Sequence, residues 1–181
     1  SARAAEMTKL VETTYRNVNI ALANEFAMHA EELGIDIGPV IEASNSQPFS
    51  HIHYPGIAVG GHCIPVYPKF YLSTDIGARL PSSSILVNES MPKRAVHSLY
   101  GSEDDALDGK KIAILGAAYR NGVKETAFSG VFPLVEEVTN LGGVAVVHDP
   151  LYTHDELAEL GLIGFQLGER CDAAIIQTDH T

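Results

Sequence analysis

From Ala4 to Leu33 the chain carries neither proline nor glycine, and no other feature restricts its fold as much. Leu10, Tyr15, Val18, Leu22 and Phe26 recur at near-helical spacing, with Met7, Val11, Met28 and Leu33 adding to the stripe. The pattern predicts one helix of roughly 28 residues, stopped by Gly34 as a C′ residue. Globular helices average about three turns, so one this long is expected to act as a spine or subunit interface. We expect it to cross a two-fold mate in a homodimer. Lys9, Glu12 and Arg16 stand at i,i+3 and i,i+4 spacing and predict surface ion pairs. Asn19 and Asn24 sit around Ile20, Ala21, Leu22 and Ala23. Asparagine is a poor helix-interior residue, so both are expected to have specific partners.

Ile35 to Ser46 reads as a short helix with Ile37, Val40 and Ile41 inward, and Pro48 to Pro55 reads as irregular. The stretch Pro55-Gly56-Ile57-Ala58-Val59-Gly60-Gly61-His62-Cys63-Ile64-Pro65 follows. Its glycines let backbone approach a ligand or another segment closely. Cys63 is then either a covalent nucleophile or a small buried thiol closing a tight turn. His51, His53 and His62 with Cys63 fit no common zinc spacing, and no metal site is expected. Leu80-Pro81-Ser82-Ser83-Ser84 predicts a break with a serine N-cap, and Ile85 to Leu99 a helix interrupted or started at Met91-Pro92.

The polar stretch Gly101 to Gly109 is the expected boundary between two domains, residues 1–100 and 101–181. Beyond it the pattern changes. Ile112-Ala113-Ile114-Leu115-Gly116 is an apolar run suited to a buried parallel strand. Phe128 to Leu141 reads as helix, Val144 to Val147 as strand, Asp155 to Leu160 as helix and Asp172 to Ile176 as strand. The alternation predicts a Rossmann-like α/β unit following an all-helical region. Ligands of such sheets lie beyond the C-terminal strand ends, here Gly116–Gly122, His148-Asp149-Pro150 and Thr178-Asp179. The first turn, Gly116-Ala117-Ala118-Tyr119-Arg120-Asn121-Gly122, lacks the GxGxxG of a dinucleotide site. Tyr119 and Arg120 could stack a base and hold a phosphate there, or the segment is a plain strand-to-helix turn.

A formal charge of −11 argues against a nucleic-acid surface. Two cysteines without a CxxC fit a reducing cytoplasm. No apolar run approaches the ~18 residues of a membrane span, and the first residues lack the apolar core of a signal peptide.

Taken together, four stretches resemble the UDP-glucose/GDP-mannose dehydrogenase family. Ala5 through Glu25 looks like the start of the family's long central helix. Gly60-Gly61-His62-Cys63-Ile64-Pro65 looks like its catalytic cysteine loop, in the form of the UDP-N-acetylmannosamine dehydrogenase branch. Val87-Asn88-Glu89-Ser90-Met91-Pro92 resembles the lead into the third domain. Ile112–Arg120, His148-Asp149-Pro150 and Thr178-Asp179-His180 resemble the nucleotide-sugar-binding domain. The resemblance reaches only the family's central and C-terminal domains.

Its implications are specific. The family oxidises a sugar CH₂OH to a carboxylate with two NAD⁺, and Cys63 would be the nucleophile. Lys9 matches the family's active-site lysine, with Thr13 four residues on. Tyr54, Gly60, Gly61, His62, Tyr119 and Arg120 would contact the UDP-sugar. NAD would be bound by an N-terminal domain that these residues do not include, so the 181 residues are expected to be an inactive piece of a longer chain. Three positions depart from the family. Thr13 stands for an asparagine, Tyr67 for an aspartate, and Glu125-Thr126-Ala127-Phe128-Ser129 for an Asp-x-Arg-x-Ser run. They keep open a non-catalytic nucleotide-sugar-binding module. A cysteine hydrolase built on Cys63 with His62 or His51 is disfavoured, because no orienting acid is evident.

Overall fold

The computed structural model describes residues 1–180, which divide into two compact units. One comprises Ser1–Gly56 with His62–Met91, and the other Ile57–Gly61 with the chain from Pro92 onward.

The helical unit is built on α1 (Ala2–Glu32), 31 residues long, with Ser1 capping its start. Gly34 takes φ +67° just beyond it, the left-handed conformation that a C′ glycine supplies at no steric cost. The side of α1 that is buried carries small and polar groups, among them Thr13, Asn17, Ala21, Ala23 and Asn24. The large apolar residues Met7, Val11, Tyr15, Leu22 and Phe26 face outward, 40–53 % exposed. Helix α2 (Ile37–Asn45) starts at Asp36, whose carboxylate accepts from the Gly38 N–H, and only Ile41 of it is buried. Helix α3 (Tyr67–Thr74) follows the glycine loop.

Helix α4 (Arg79–Tyr100) overturns two boundaries expected from the sequence. Leu80–Ser84 is its first turn, not a break. Pro81 falls where backbone N–H groups have no helical partner, so the missing donor costs nothing. Pro92 lies inside the helix without ending it. There the proline forfeits one backbone bond, and the division between the two units falls at that residue.

In the α/β unit three parallel strands, β1 (Lys111–Leu115), β2 (Val144–His148) and β3 (Ala173–Ile176), stand in the order β2-β1-β3. Leu115 pairs with His148 on one side and with Ile176 on the other. Helix α5 (Val131–Asn140) starts three residues later than the apolar pattern suggests, because Phe128 turns the chain at φ +53°. Helix α6 (His154–Glu159) opens with a capping box made by Thr153 and Glu156. Ile112, Ile114, Leu134, Val138 and Val147 form a closed aliphatic core.

Candidate functional site

Three anchors hold the stretch from Pro55 to Pro65. The first lies in the helical unit. The Gly56 N–H donates to Asn24 Oδ1 at 2.9 Å. Asn24 is fully buried, and its Nδ2 donates to Asn88 Oδ1 at 2.9 Å. Asn88 Nδ2 donates to both the backbone and the side-chain oxygen of Asn17, each at 3.0 Å. Asn17 Nδ2 donates to Ser84 Oγ at 2.7 Å. This ladder of buried amides ties α1 to α4 and ends on the first glycine of the loop. Buried polar groups are costly unless satisfied, and here each side-chain amide nitrogen is.

The second anchor follows the loop in the same unit. The Cys63 carbonyl accepts from Val66 N at 3.2 Å and Tyr67 N at 2.9 Å, closing the turn into α3. Cys63 is a half-buried free thiol. The ammonium of Lys9 lies 5.4 Å from the centre of the Tyr67 ring, a cation–π contact. Lys9 also pairs with Glu12 at 3.4 Å, and Glu12 with Arg16 at 3.3 Å, as their spacing predicts. Thr13 is buried, and its hydroxyl donates back into its own helix, to Lys9 O at 2.7 Å. Tyr54 and His62 are exposed.

The third anchor belongs to the α/β unit. The Gly61 N–H donates to Ala127 O at 2.7 Å, and Gly61 sits at φ +87°. A Cβ on Gly60 would fall 2.5 Å from Tyr119 Cβ, and one on Gly61 would fall 2.9 Å from Tyr119 Cε2. Only glycine fits at either position. Tyr119 N donates to Glu125 O at 2.9 Å, and Glu125 Oε1 receives the N–H groups of Thr126 and Ala127 at 2.9 and 3.1 Å. Arg120 is exposed at the strand-to-helix turn.

The central-domain model of the UDP-glucose/GDP-mannose dehydrogenase family matches residues 3–89. A UDP-N-acetyl-D-mannosamine dehydrogenase of Pyrococcus horikoshii is 39 % identical over 188 residues, covering 99 % of this chain and 43 % of that protein. This chain belongs to the UDP-glucose/GDP-mannose dehydrogenase family. It spans less than half the length of the curated relatives it matches. Among solved structures, the UDP-N-acetyl-mannosamine dehydrogenase Cap5O of S. aureus is 32 % identical, with a TM-score of 0.79 over 99 % of this chain and 43 % of that one. A UDP-glucose dehydrogenase of Pyrobaculum islandicum is 27 % identical, with a TM-score of 0.85 over 98 % of this chain and 44 % of that one.

Within this family fold, one buried acid escaped sequence reasoning. Asp149, at the end of β2, is 1 % exposed. Its Oδ2 accepts from Ala117 N at 2.7 Å, Ala118 N at 2.8 Å and His180 Nε2 at 3.1 Å, and its Oδ1 accepts from Leu151 N at 2.8 Å. The amides that a dinucleotide fold would offer to a pyrophosphate after β1 are therefore held by a carboxylate of the chain itself. The turn after β1 thus does not fit the pyrophosphate of a bound NAD. His148-Asp149-Pro150 stands out in the sequence as a strand end, but nothing local shows that the acid turns inward. Among the described residues, no group of three His, Cys, Asp or Glu side chains converges as a metal site would require. No helix among them is long and apolar enough to cross a membrane.

Proposed function

We propose that the chain is part of a nucleotide-sugar 6-dehydrogenase that oxidises the primary alcohol of a UDP-sugar to a carboxylate. Its relatives' names point to an N-acetylated hexosamine as the sugar. The observation that carries the reading is the glycine pair buttressed by Tyr119 with a free thiol two residues on, in a chain of this family.

In this reading the alcohol is first oxidised to an aldehyde. The Cys63 sulfur then bonds to the aldehyde carbon, and its proton passes to the former carbonyl oxygen, giving a thiohemiacetal. A second oxidation leaves a thioester, and water cleaves the C–S bond to release the carboxylate and regenerate the thiol. NAD, the acceptor of both hydrides, is assigned to a part of the protein outside these residues. Lys9 is assigned the charge that favours thiolate and oxyanion, with Thr13 fixing its turn of α1. Tyr54, His62, Arg120 and the Gly60–Gly61 backbone are assigned to the UDP-sugar. The apolar stripe of α1 is assigned to a homodimer contact, and the free thiols fit a reducing cytoplasm.

The test uses the full-length protein with a UDP-sugar and NAD. Wild type should release two NADH per carboxylate formed. Cys63→Ser should retain the first oxidation and lose the second, because only thiohemiacetal formation needs sulfur. Carboxylate formed by Cys63→Ser at the wild-type rate would overturn the role of Cys63. Binding of the UDP-sugar without any oxidation would favour the non-catalytic module.

A further inference from the structure

Lys9 is 44 % exposed on α1, and an ammonium on a flexible four-carbon stem in that setting samples many positions unless something holds it. Two contacts do so. Glu12, on the same helix, meets the ammonium at 3.4 Å, but its other oxygen meets Arg16 at 3.3 Å. One carboxylate facing two cations leaves a net positive charge. The second contact comes from α3, where the centre of the Tyr67 ring lies 5.4 Å from Lys9 Nζ, within cation–π reach. The ring is itself held. Tyr67 is half-buried at the first residue of α3, beside the buried Pro68, and meets the Phe70 ring edge to face at 6.0 Å. Its N–H donates to the Cys63 carbonyl at 2.9 Å. That is the four-residue bond of a helical turn, and it sets Tyr67 a single turn beyond Cys63. All of these residues belong to the helical unit.

We propose that Tyr67 is a positioning residue for Lys9, its ring holding the ammonium at the turn that carries Cys63. A ring suits this task in a way that a carboxylate does not. The negative face of the π-system attracts the cation but adds no formal charge, so the ammonium is held without being neutralised. Its charge stays available to an anion at the sulfur. Tyr67 stands where the family carries an aspartate, and the departure has a physical counterpart in the way the lysine is held. The phenol hydroxyl has no part in it. The inference rests on the reading that Lys9 serves the chemistry of Cys63.

The experiment alkylates Cys63 in the full-length protein with iodoacetate and, separately, with iodoacetamide. Both reagents consume the same thiolate, so the ratio of their rates cancels its population and reports positive charge held near the sulfur. Cys171 supplies the internal reference. Lys9→Ala should lower the Cys63 ratio about fourfold, the scale of one partly screened unit charge at close range. Tyr67→Leu should lower it nearly as far, whereas Tyr67→Phe, which keeps the ring, should hold the wild-type ratio. In a Lys9→Ala background Tyr67→Leu should add nothing, because the ring has no cation left to place. A wild-type ratio in Tyr67→Leu beside a lowered one in Lys9→Ala would overturn the proposal and leave the role of Lys9 standing. A further drop on adding Tyr67→Leu to Lys9→Ala would also overturn it, since the tyrosine would then act on the thiol without the lysine. An unchanged ratio in Lys9→Ala would overturn both the proposal and the role given to Lys9, while release of two NADH per carboxylate would still uphold the dehydrogenase reading. Should the full-length protein oxidise no nucleotide sugar, that reading fails, and the ratios alone decide whether Tyr67 places Lys9.

Discussion

The two units bury opposite kinds of surface. The α/β unit encloses Ile112, Ile114, Leu134, Val138 and Val147 completely, and its core is closed within the unit. The helical unit buries alanines, threonines and a ladder of asparagine amides along α1, and turns Met7, Val11, Tyr15, Leu22 and Phe26 outward. A core of large aliphatic side chains is held by the hydrophobic effect acting within one unit. A helix that buries amides and exposes its large residues draws its register from hydrogen bonds, and it has apolar area left to bury against a partner. Length without a breaker therefore means different things in a chain's sheet region and in its spine.

Matched truncations expose the difference most strongly. Ile114→Ala in the α/β core should cost about 2–5 kcal/mol of unfolding free energy, the range for deleting a fully buried aliphatic side chain. Leu22→Ala should change the stability of the isolated monomer by less than about 1 kcal/mol, as surface substitutions do. It should instead weaken self-association. Leu22→Asp combined with Phe26→Asp should yield a monomer by light scattering without loss of helical circular dichroism. Equal costs for Ile114→Ala and Leu22→Ala in a monomer would erase the contrast between the units.

The amide ladder supplies the next effect. Asn88→Ala removes the acceptor of Asn24 Nδ2 and both donations to Asn17. Each orphaned buried group costs about 1–3 kcal/mol. Denaturant unfolding should therefore show a loss of about 3 kcal/mol, comparable to a core truncation although no large apolar group is removed. A loss below about 1 kcal/mol would mean that water satisfies the ladder and that the register of α1 on α4 does not depend on it.

What could be read from the sequence follows the same division. Periodicity found α1, the three strands and Gly34 as a stop, because those signals are local. The Lys9–Glu12–Arg16 pairs were legible for the same reason. Asn24 has the specific partners its awkward position implied, whereas Asn19 donates only to Tyr15 O at 3.0 Å within its own helix. Two asparagines in one apolar setting look alike until the facing helix is known. Leu80–Ser84 misled because proline and serines mark a break and a first helical turn equally well. The inward turn of Asp149 was not legible, since three of its partners are backbone amides that any sequence would provide and the fourth, His180, lies 31 residues on. The glycine pair was visible as a loop, but the tyrosine that crowds it, with its Cβ at Gly60 and its ring at Gly61, lies far along the chain, on the turn after β1.

The smallest expected effect lies at the surface of the α/β unit and separates charge from packing there. Glu156 caps α6: its Oε2 accepts from Thr153 N at 2.8 Å, and its Oε1 pairs with the ammonium of Lys124. The Lys124 contact and the Thr153 N–H lower its carboxyl from the ordinary 4.5 to about 2. A carboxylate with a lowered folded-state value stabilises fully above its unfolded value, and that contribution is lost as pH falls through the folded one. Lys124 also lies 5.2 Å from the Tyr152 ring centre, so it keeps one contact when the acid is neutralised. Because Glu156 is exposed, salt screens the pair and the whole effect is modest. Thermal melts should therefore show wild type losing stability between pH 4.5 and about 2 relative to Glu156→Gln, which removes the titration but keeps an amide oxygen for the cap. The difference should shrink in high salt. Parallel curves across that window would mean that the capping box is held by its hydrogen-bond geometry alone, with no contribution from the charge.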